Sequence, residues 1–523
     1  MTDTPISDPS RRTARAPRAG RAERDGGAQA SAGGRLDQAA LSYEKAVRPF
    51  IFVLFFAAVA MPVIFNVGSV RLTPMRTVLL LMFIPLVFRW LSGKHGGIIL
   101  PDVLLFVFTI WVFIVITFHH GLERSLEFSA INMIEMFGAY LLTRTYVRSK
   151  SSFLFFVKCY LVTVLFFLPF AFFESQTREQ VINTIFSSLT GMEVYFDVNY
   201  PPRMGLFRAQ VTFQHPILFG IFCSGAFALA WYGLLGQWAS KARRGMWAFV
   251  VFMGTFFSLS SGALLTVMTQ LGLFGWNFVA RNVDRRWRVL GIIVTVLYLS
   301  IDILSNRSPA QIFIKVATFN SSTGFNRLLI WQYGSAEVWR HPLMGLGFKD
   351  WIRAPWMLPS VDNFWLVMAM RYGLTGFLLI AGAFIVILWR VGRQDFSARP
   401  DLAGCQKGYL ISIIGLFVGI CTVHIWGNAI TVVIALIGAG VWMFTTEQEG
   451  VPVQGGAAAP AKGTEARTPR DRKRRAPEAE EAASGEETPA PKPQFIRPDR
   501  TRPNKRHARP TRTPRDTGRK GRE

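Results

Sequence analysis

Long apolar runs recur along this sequence and constrain its fold more than any other feature. From residue 49 to about residue 446, mostly apolar segments of roughly 18 to 25 residues follow one another, and a helix needs this length to cross the hydrocarbon core of a bilayer. A helix of a soluble domain carries a single apolar stripe instead, and the strands of a membrane barrel alternate over about ten residues. The stretch "IFVLFFAAVAMPVIF", which begins at residue 51, shows neither a single apolar stripe nor an alternation. The sequence therefore predicts an all-α, polytopic integral membrane protein.

The apolar runs predict about twelve transmembrane helices within a transmembrane domain of residues 46–447. Their predicted bounds are 49–68, 75–92, 97–118, 126–143, 152–173, 212–236, 245–260, 263–280, 289–305, 362–389, 405–423 and 427–446. The seventh and eighth runs are separated only by the short stretch "SLSSGA", which leaves eleven spans as the alternative. No internal repeat of the kind common in transporters is visible.

The chain has a net charge of +25, and almost half of its basic residues lie in its two polar ends. Of the 58 Lys and Arg residues, nine lie at or before Arg48 and nineteen lie after residue 450. These tails, residues 1–45 and 448–523, are rich in Pro, Arg and Ala and lack apolar periodicity, so we expect them to be disordered. Basic tails beside membrane spans are more typical of contact with anionic lipid headgroups than of nucleic-acid binding.

The loop charges predict the orientation of the chain in the membrane. Short connections rich in Lys and Arg stay in the cytoplasm, and they alternate with less basic ones when both tails are placed inside. Two long connections, residues 174–211 and 306–361, then lie outside the cytoplasm. Loops of more than about fifteen residues are usually functional or disordered. The stretch "NRLLIWQYGSAEVWR" in the second loop has a helical pattern that ends before Pro342, so this extracytoplasmic loop is predicted to be partly helical.

The two long loops and the starts of the spans that follow them bring many charged side chains to one side of the membrane. The candidates of interest are Arg203, Arg208, His215, Arg327, Arg340, His341, Lys349, Arg353 and Asp362. A guanidinium can hold diphosphate oxygens through two parallel hydrogen bonds, and it can stabilise the charge that develops on a leaving phosphate. A carboxylate or imidazole beside it can accept a proton from an attacking hydroxyl. Neither paired Asp residues nor closely spaced His residues on this side predict a metal site, and no cofactor is expected.

Simpler structural roles exist for the same residues. The arginines could be solvated cations at the interface, and His341 could end a helix, where the carbonyl dipole favours positive charge. Asp362 could be only the N-cap of the tenth span. Gly345 and Gly347 fit turn positions that need positive φ. Arg371 lies within or beside a span, where a charge is costly and tends to face an internal cavity.

Three segments of the sequence resemble the bacterial superfamily of O-antigen ligases and O-antigen and exopolysaccharide polymerases. They are "RAQVTFQHPILFG" from Arg208, "NRLLIWQYGSAEVWRHPLMGLG" from Asn326, and "DNFWLVMAMRYGLTG" from Asp362. The second segment is similar to the family's Arg–Trp helix followed by a Pro-Leu-x-Gly-x-Gly motif, and the third is similar to its His-Asn-x-x-Leu stretch. The resemblance covers residues 49 to 446 and excludes the tails.

The resemblance implies a membrane-embedded glycosyltransferase that inverts the configuration at the anomeric carbon and needs no metal ion. The donor would be a glycan on undecaprenyl diphosphate, and Arg327 and Arg208 would correspond to the family's arginines. Asp362 stands where the family usually has His, so the base could be Asp362, His341 or His215. Arg203, Arg340 and Asn363 are further candidates for substrate binding. A second departure is Ser260-Ser261-Gly262, which replaces the family's Ser-Arg-Gly turn.

The sequence thus predicts a polysaccharide polymerase of the bacterial inner membrane that transfers lipid-diphosphate-linked glycan to a glycan hydroxyl. An O-antigen ligase with a lipid A core acceptor would use the same chemistry and is the nearest alternative. A flippase or transporter for lipid-linked glycan, and a non-catalytic assembly protein that only binds such a glycan, are alternatives of other classes. Other membrane proteins of polysaccharide assembly are expected as partners.

Overall fold

The fold is built almost entirely from helices that run up and down through an apolar core. The structure is a computed structural model, and it describes residues 50–68, 70–93, 96–194, 201–234, 240–306, 308–316 and 321–446. The predictions made for the tails, residues 1–45 and 448–523, fall outside the described residues.

Seventeen helices are numbered here in chain order. They are α1 (Phe50–Ala60), α2 (Pro74–Leu91), α3 (Leu100–His120), α4 (Leu122–Met133), α5 (Ala139–Tyr146), α6 (Lys150–Thr177), α7 (Val181–Thr190), α8 (Pro216–Ser224), α9 (Lys241–Phe257), α10 (Ser261–Val279), α11 (Arg286–Leu304), α12 (Pro309–Val316), α13 (Ser321–Arg340), α14 (Phe364–Gly392), α15 (Pro400–Ile420), α16 (Gly427–Gly438) and α17 (Trp442–Thr445). π-helical turns at Ile134–Gly138 and Leu229–Gly233 lie between α4 and α5 and after α8.

Within the described part of the chain, nine helices are long and apolar enough to cross a membrane. This supports a multi-pass membrane protein, but it does not confirm the predicted count of twelve. The predicted span 49–68 contains only the short helix α1, and α9 falls just below the length required. The predicted span 126–143 is divided between α4 and α5 by a π-helical turn. Helices α9 and α10 are separate, so "SLSSGA" is a turn between two helices.

The chain leaves helical geometry soon after α1 because Pro62 disfavours the helical conformation at the residue before it. Strand β1 (Val63–Val67) follows and pairs antiparallel with β2 (Val70–Leu72) and with the short β3 (Glu193–Val194). Strand β1 lies in the part of the sequence, residues 49–68, that the apolar pattern assigned to a span. Hydropathy could not separate the two structures, because a short apolar run suits a strand as well as a helix.

Helices α6 and α15 have different polar residues at their two ends. At one end, the Lys150 ammonium group lies 2.6 Å from a carboxylate oxygen of Asp401, which joins the first turns of α6 and α15. At the other end of the same two helices lie Glu174 and the residues that follow Ile420. The candidate site described below is built at this second end.

A buried polar network fastens α2, α3 and α5 at the end of the bundle where α3 begins. Asp102 is fully buried, and its Oδ1 accepts hydrogen bonds from the Tyr140 hydroxyl at 2.6 Å and the Arg144 Nε at 3.4 Å. Its Oδ2 accepts from the Trp90 Nε1 and the backbone N–H of Ile99, both at 3.1 Å. Every carboxylate oxygen therefore has partners, which is the condition under which a charge is tolerated in an interior.

We expect Asp102→Ala to destabilise the folded protein by about 3 to 5 kcal/mol, because it leaves the buried guanidinium of Arg144 without its carboxylate. Thermal or denaturant unfolding of the purified protein in detergent measures this loss. The matched control is Glu193→Gln, which removes the exposed pair between Arg71 and Glu193, and exposed pairs contribute only about 0 to 1 kcal/mol. Equal effects of the two substitutions would show that the network does not stabilise the fold.

Candidate functional site

Three arginines from the two long loops converge on residues 258–261, which form the turn after α9 and the first residue of α10. The Arg203 Nη1 donates to the Leu259 carbonyl oxygen at 2.9 Å, and the Arg208 Nε donates to the Ser258 carbonyl oxygen at 3.4 Å. The Arg327 Nη2 donates to the Ser261 Oγ at 3.3 Å. We call Arg203, Arg208 and Arg327 the arginine cluster. Of the three, Arg327 contacts the segment that departs from the family's Ser-Arg-Gly turn, and Arg203 and Arg208 contact the two residues just before it.

Arg327 is the most enclosed member of the arginine cluster. Only 6% of its surface is exposed, although it lies in α13, a helix too polar overall to be a candidate span. It borders a small cavity together with Asp362 and Asn363. A buried guanidinium needs compensating partners, and the carboxyl of Asp362 is close enough to interact electrostatically with Arg327. Arg327 is therefore a buried, oriented cation and not a solvated interfacial one.

Glu174, at the end of α6, holds the first long loop in place. Its two carboxylate oxygens accept hydrogen bonds from the backbone N–H groups of Gln210, at 3.0 Å, and Val211, at 2.9 Å. Glu174 itself is 4% exposed, so these are charge-assisted bonds in a buried setting. The loop between Arg208 and His215 is thereby fixed against the end of α6. The sequence analysis did not single out Glu174, although an acidic residue that ends an apolar run was a usable signal.

His215 caps α8. Its Nδ1 accepts a hydrogen bond from the backbone N–H of Ile217 at 3.0 Å, and Pro216 follows at the first helical position. Burial, together with the positive charges of Arg208 and Arg203, lowers the pKa of His215 to about 4. The imidazole is therefore neutral near pH 7, and because Nδ1 accepts, the proton resides on Nε2. The Nε2–H group of His215 can donate a hydrogen bond toward the cavity, whereas Nδ1, its only basic nitrogen, accepts the hydrogen bond from the α8 backbone.

The Gly-x-Gly motif after α13 packs into a break in α14. Gly373 has φ 70° and ψ 178°, which interrupts the helix, and the backbone N–H groups of Leu346 and Gly347 donate to the carbonyl oxygens of Met370 and Arg371 at 2.8 Å and 3.0 Å. Gly345 and Gly347 have positive φ, which confirms the turn geometry expected of them. The apolar pattern predicted an unbroken span here, over residues 362–389.

We expect Gly373→Ala to disrupt this junction. A Cβ at Gly373 would lie 2.0 Å from the Leu343 carbonyl oxygen, and its φ of +70° is strained for any other residue. The strain alone costs about 1 to 2 kcal/mol, and the collision with backbone adds to it, so both thermal stability and activity should fall. The matched control is Gly291→Ala in α11, where nothing lies within 4 Å and alanine favours the helix by up to about 1 kcal/mol. Indistinguishable behaviour of the two variants would contradict the close packing described here.

A large cavity of about 610 Å³ opens beside the arginine cluster. It is bordered by the start of α8, the segment after α13, the first half of α14 and the connection between α15 and α16. Its lining includes several charged, imidazole and indole side chains, which are those of His215, Lys349, Trp351, Asp362, Arg371, His424 and Trp426. Its size falls in the range of about 300 to 1,000 Å³ that is usual for small-molecule sites.

Asp362 borders both the large cavity and the small cavity that contains Arg327. It is not the N-cap of α14, because that position belongs to Asn363, whose Oδ1 accepts from the backbone N–H of Leu366 at 3.0 Å. Burial raises the pKa of Asp362 above its usual value of 3.8, and the positive charges of Arg327 and Arg208 act in the opposite direction. The carboxyl is thus free of a capping role and lies between the two cavities.

Two of the predicted site residues lie elsewhere. The Arg340 Nη1 pairs with Glu337 at 2.8 Å, and the His341 Nε2 lies 3.5 Å from the other oxygen of the same carboxylate. Both side chains are about half exposed, and neither lines the two cavities described above. Helix α13 ends at Arg340, just before Pro342, as the sequence predicted.

No group of three or more His, Cys, Asp or Glu side chains that could hold a metal ion occurs among the described residues. No protein-family model matches the chain, and no curated protein sequence is significantly similar to it.

Proposed function

We propose that the chain is a polysaccharide polymerase of the bacterial inner membrane. In this proposal it transfers a glycan from undecaprenyl diphosphate to a hydroxyl of a second glycan, with inversion at the anomeric carbon. The motif resemblance suggests the reaction class, and the placement of Asp362 between an arginine-lined cavity and a larger open one is the observation that supports it best.

The proposed division of the site follows from charge. The arginine cluster would bind the donor diphosphate, because guanidinium groups match phosphate oxygens and remain charged. The large cavity would receive the acceptor glycan. In the reaction, the acceptor hydroxyl oxygen forms a bond to the anomeric carbon, and the bond between that carbon and the phosphate oxygen breaks. The lipid diphosphate leaves with the bonding electron pair, and its growing negative charge is stabilised by Arg327 and Arg208.

Asp362 is the best-placed proton acceptor of the three candidates. It borders both cavities and carries no capping bond, whereas the Nδ1 of His215 accepts from the α8 backbone. His341 lies beside Glu337, outside the lining of either cavity. In the proposed step the proton of the acceptor hydroxyl moves to the carboxylate of Asp362 and then to water.

The glycan phenotype of a deletion strain tests the proposed function. A polymerase predicts that long polymer is lost while single repeat units accumulate on the lipid carrier. Polymer that is made but never joined to lipid A would instead identify an O-antigen ligase. Repeat units that remain on the cytoplasmic face would identify a flippase, and an unchanged glycan profile would contradict all three.

The proposal requires the site to face away from the cytoplasm. Ser360 is an exposed residue that lines the large cavity, and Ser397 is an exposed residue in the loop between α14 and α15. We expect a cysteine at position 360 to react with a membrane-impermeant thiol reagent added from outside the inner membrane, and a cysteine at position 397 to be protected until the membrane is opened. The reverse pattern would overturn the orientation and with it the proposed role of the site.

A further inference from the structure

The large cavity contains a second cationic region, which is separate from the arginine cluster. Arg371 and Lys349 both line this cavity, whereas none of the three clustered arginines does. Arg371 comes from the first half of α14, just before the break at Gly373, and Lys349 follows the Gly-x-Gly motif that packs into that break. The same backbone junction therefore brings the two cations to one cavity.

Within the part of the chain that the structure describes, neither Arg371 nor Lys349 forms an ion pair. The guanidinium of Arg371 lies over the ring of Phe348, with 5.8 Å between the Arg371 Cζ and the ring centroid. This contact stabilises the cation through the ring face and leaves the N–H edge able to donate. The cavity also contains the carboxylate of Asp350, but that group pairs with Arg353 at 2.5 Å. A charge held in a span without a counter-ion is costly and usually marks a functional position.

An unsatisfied polar atom lies in the same cavity wall. The Nδ1 of His424 is buried and has no hydrogen-bond partner among the described residues. Burial and the nearby charge of Arg371 lower the pKa of His424 to about 3, so the ring is neutral near pH 7. Buried polar atoms are nearly always hydrogen-bonded in folded proteins, which suggests that a ligand hydroxyl or water satisfies this one.

Two tryptophans give the cavity an aromatic lining. The Trp351 Nε1 donates to the Pro359 carbonyl oxygen at 3.0 Å, and the Trp426 Nε1 donates to the Gln214 Oε1. Their polar atoms are therefore used within the protein, and what each ring presents to the cavity is apolar. This surface comes mainly from the half-buried Trp426, because Trp351 is only 7% exposed. Aromatic residues that combine an apolar ring with a satisfied polar atom are common at binding sites, and the apolar C–H face of a sugar ring suits such a surface.

We propose that this cavity binds an acidic glycan, in which a carboxylate on the acceptor sugar is held by Arg371 and Lys349. This inference rests on the proposed function and adds to it a substrate class, a repeat unit that carries a uronic acid or a similar carboxylated sugar. The sugar ring lies against Trp426, and a sugar hydroxyl donates to the Nδ1 of His424. The donor diphosphate occupies the arginine cluster instead.

Binding to the purified full-length protein in lipid nanodiscs tests this inference. The probes are a tetrasaccharide with one glucuronic acid residue, its carboxyl-reduced counterpart, and inorganic diphosphate. We expect the acidic tetrasaccharide to bind about 10- to 100-fold more tightly than the reduced one, because charge-assisted hydrogen bonds to a carboxylate are lost on reduction. Arg371→Gln should abolish most of this preference and Lys349→Gln part of it, whereas Lys315→Gln, an exposed cation of α12, should leave it unchanged.

Each other outcome has a defined meaning. Equal binding of the two tetrasaccharides, or binding of neither, overturns the acidic-glycan inference. Diphosphate binding that depends on Arg371 and not on Arg327 also overturns it, because the cavity would then hold the donor. If Arg371→Gln does not fold, the comparison of the two tetrasaccharides on the unaltered protein and on Lys349→Gln still decides. A clear preference for the acidic probe, in a protein that transfers no glycan, would uphold the anion site and refute the proposed polymerase.

Discussion

Arg327→Lys is expected to reduce glycan transfer nearly as severely as Arg327→Ala, by roughly 100- to 1,000-fold, which corresponds to about 3 to 4 kcal/mol of lost transition-state stabilisation. Lysine keeps the positive charge but loses the planar pair of donors that matches a diphosphate. At this site the difference is enhanced because Arg327 is only 6% exposed and is oriented by Ser261. Water cannot readily replace the missing donor in so enclosed a position.

Polymer formation from a lipid-linked repeat unit, followed over time with matched protein levels, measures this effect. The control is Lys315→Ala, which removes an exposed cation from α12 in the same long loop and should leave the rate unchanged. Thermal unfolding of each variant in detergent separates loss of chemistry from loss of fold. Arg327→Lys with nearly normal turnover would show that a point charge suffices and that the guanidinium geometry has no role.

The second large effect is expected for Asp362. We expect Asp362→Asn to lower transfer by about 100- to 10,000-fold, the range in which a positioned general base contributes. Asparagine preserves the shape of the side chain and cannot accept the proton of the attacking hydroxyl. The structural role of the neighbouring Asn363 as N-cap of α14 is untouched by this substitution, so the fold should be retained.

The pH profile adds a readout that a structural role would not change. Asp362 must be ionised to accept a proton, so kcat/KM should fall as the pH decreases through its pKa. Because burial raises that pKa above 3.8, the acid limb should lie at higher pH than an exposed carboxylate would give. The limb should disappear from the residual activity of Asp362→Asn. An unchanged acid limb in that variant would assign the proton to another group.

Much of the architecture could be predicted because hydropathy depends only on local sequence. Long apolar runs identified the spans, and Pro342 marked the end of α13. The count of twelve was not confirmed, because three of the predicted runs do not form a helix long enough to cross a membrane. Helix α9 is slightly too short, the run 126–143 is interrupted by a π-helical turn, and the run 49–68 is partly strand. A pattern of apolar residues cannot reveal a π-helical turn such as Ile134–Gly138, which depends on how neighbouring helices pack.

The arrangement of the site depended on tertiary contacts and could be predicted only in part. The sequence placed Arg203, Arg208 and Arg327 on one side of the membrane, but only the fold brings them to one turn. Only the resemblance singled out Arg327 over Arg340. The two lie on the same helix, and the fold buries Arg327 and leaves Arg340 half exposed in an ion pair.

The break at Gly373 was similarly invisible to hydropathy. A continuous run of apolar residues predicts a continuous span, whether or not a loop packs against a break in the helix. The signals that could have revealed the break were the glycines at 373 and 376 within the run and the charge of Arg371 beside them. A charge inside a span tends to face a cavity, and here it lines the large cavity beside the broken helix.

The proposed polymerase forms glycosidic bonds between lipid-linked repeat units. The most direct test is to reconstitute the purified full-length chain in lipid bilayers with an undecaprenyl-diphosphate-linked oligosaccharide and to analyse the products by mass. We predict a ladder of glycans that differ by one repeat unit, released undecaprenyl diphosphate in equal amount to the bonds formed, and inverted configuration at each new linkage. A substrate that remains as single repeat units, or that crosses the bilayer without forming a bond, would contradict the account.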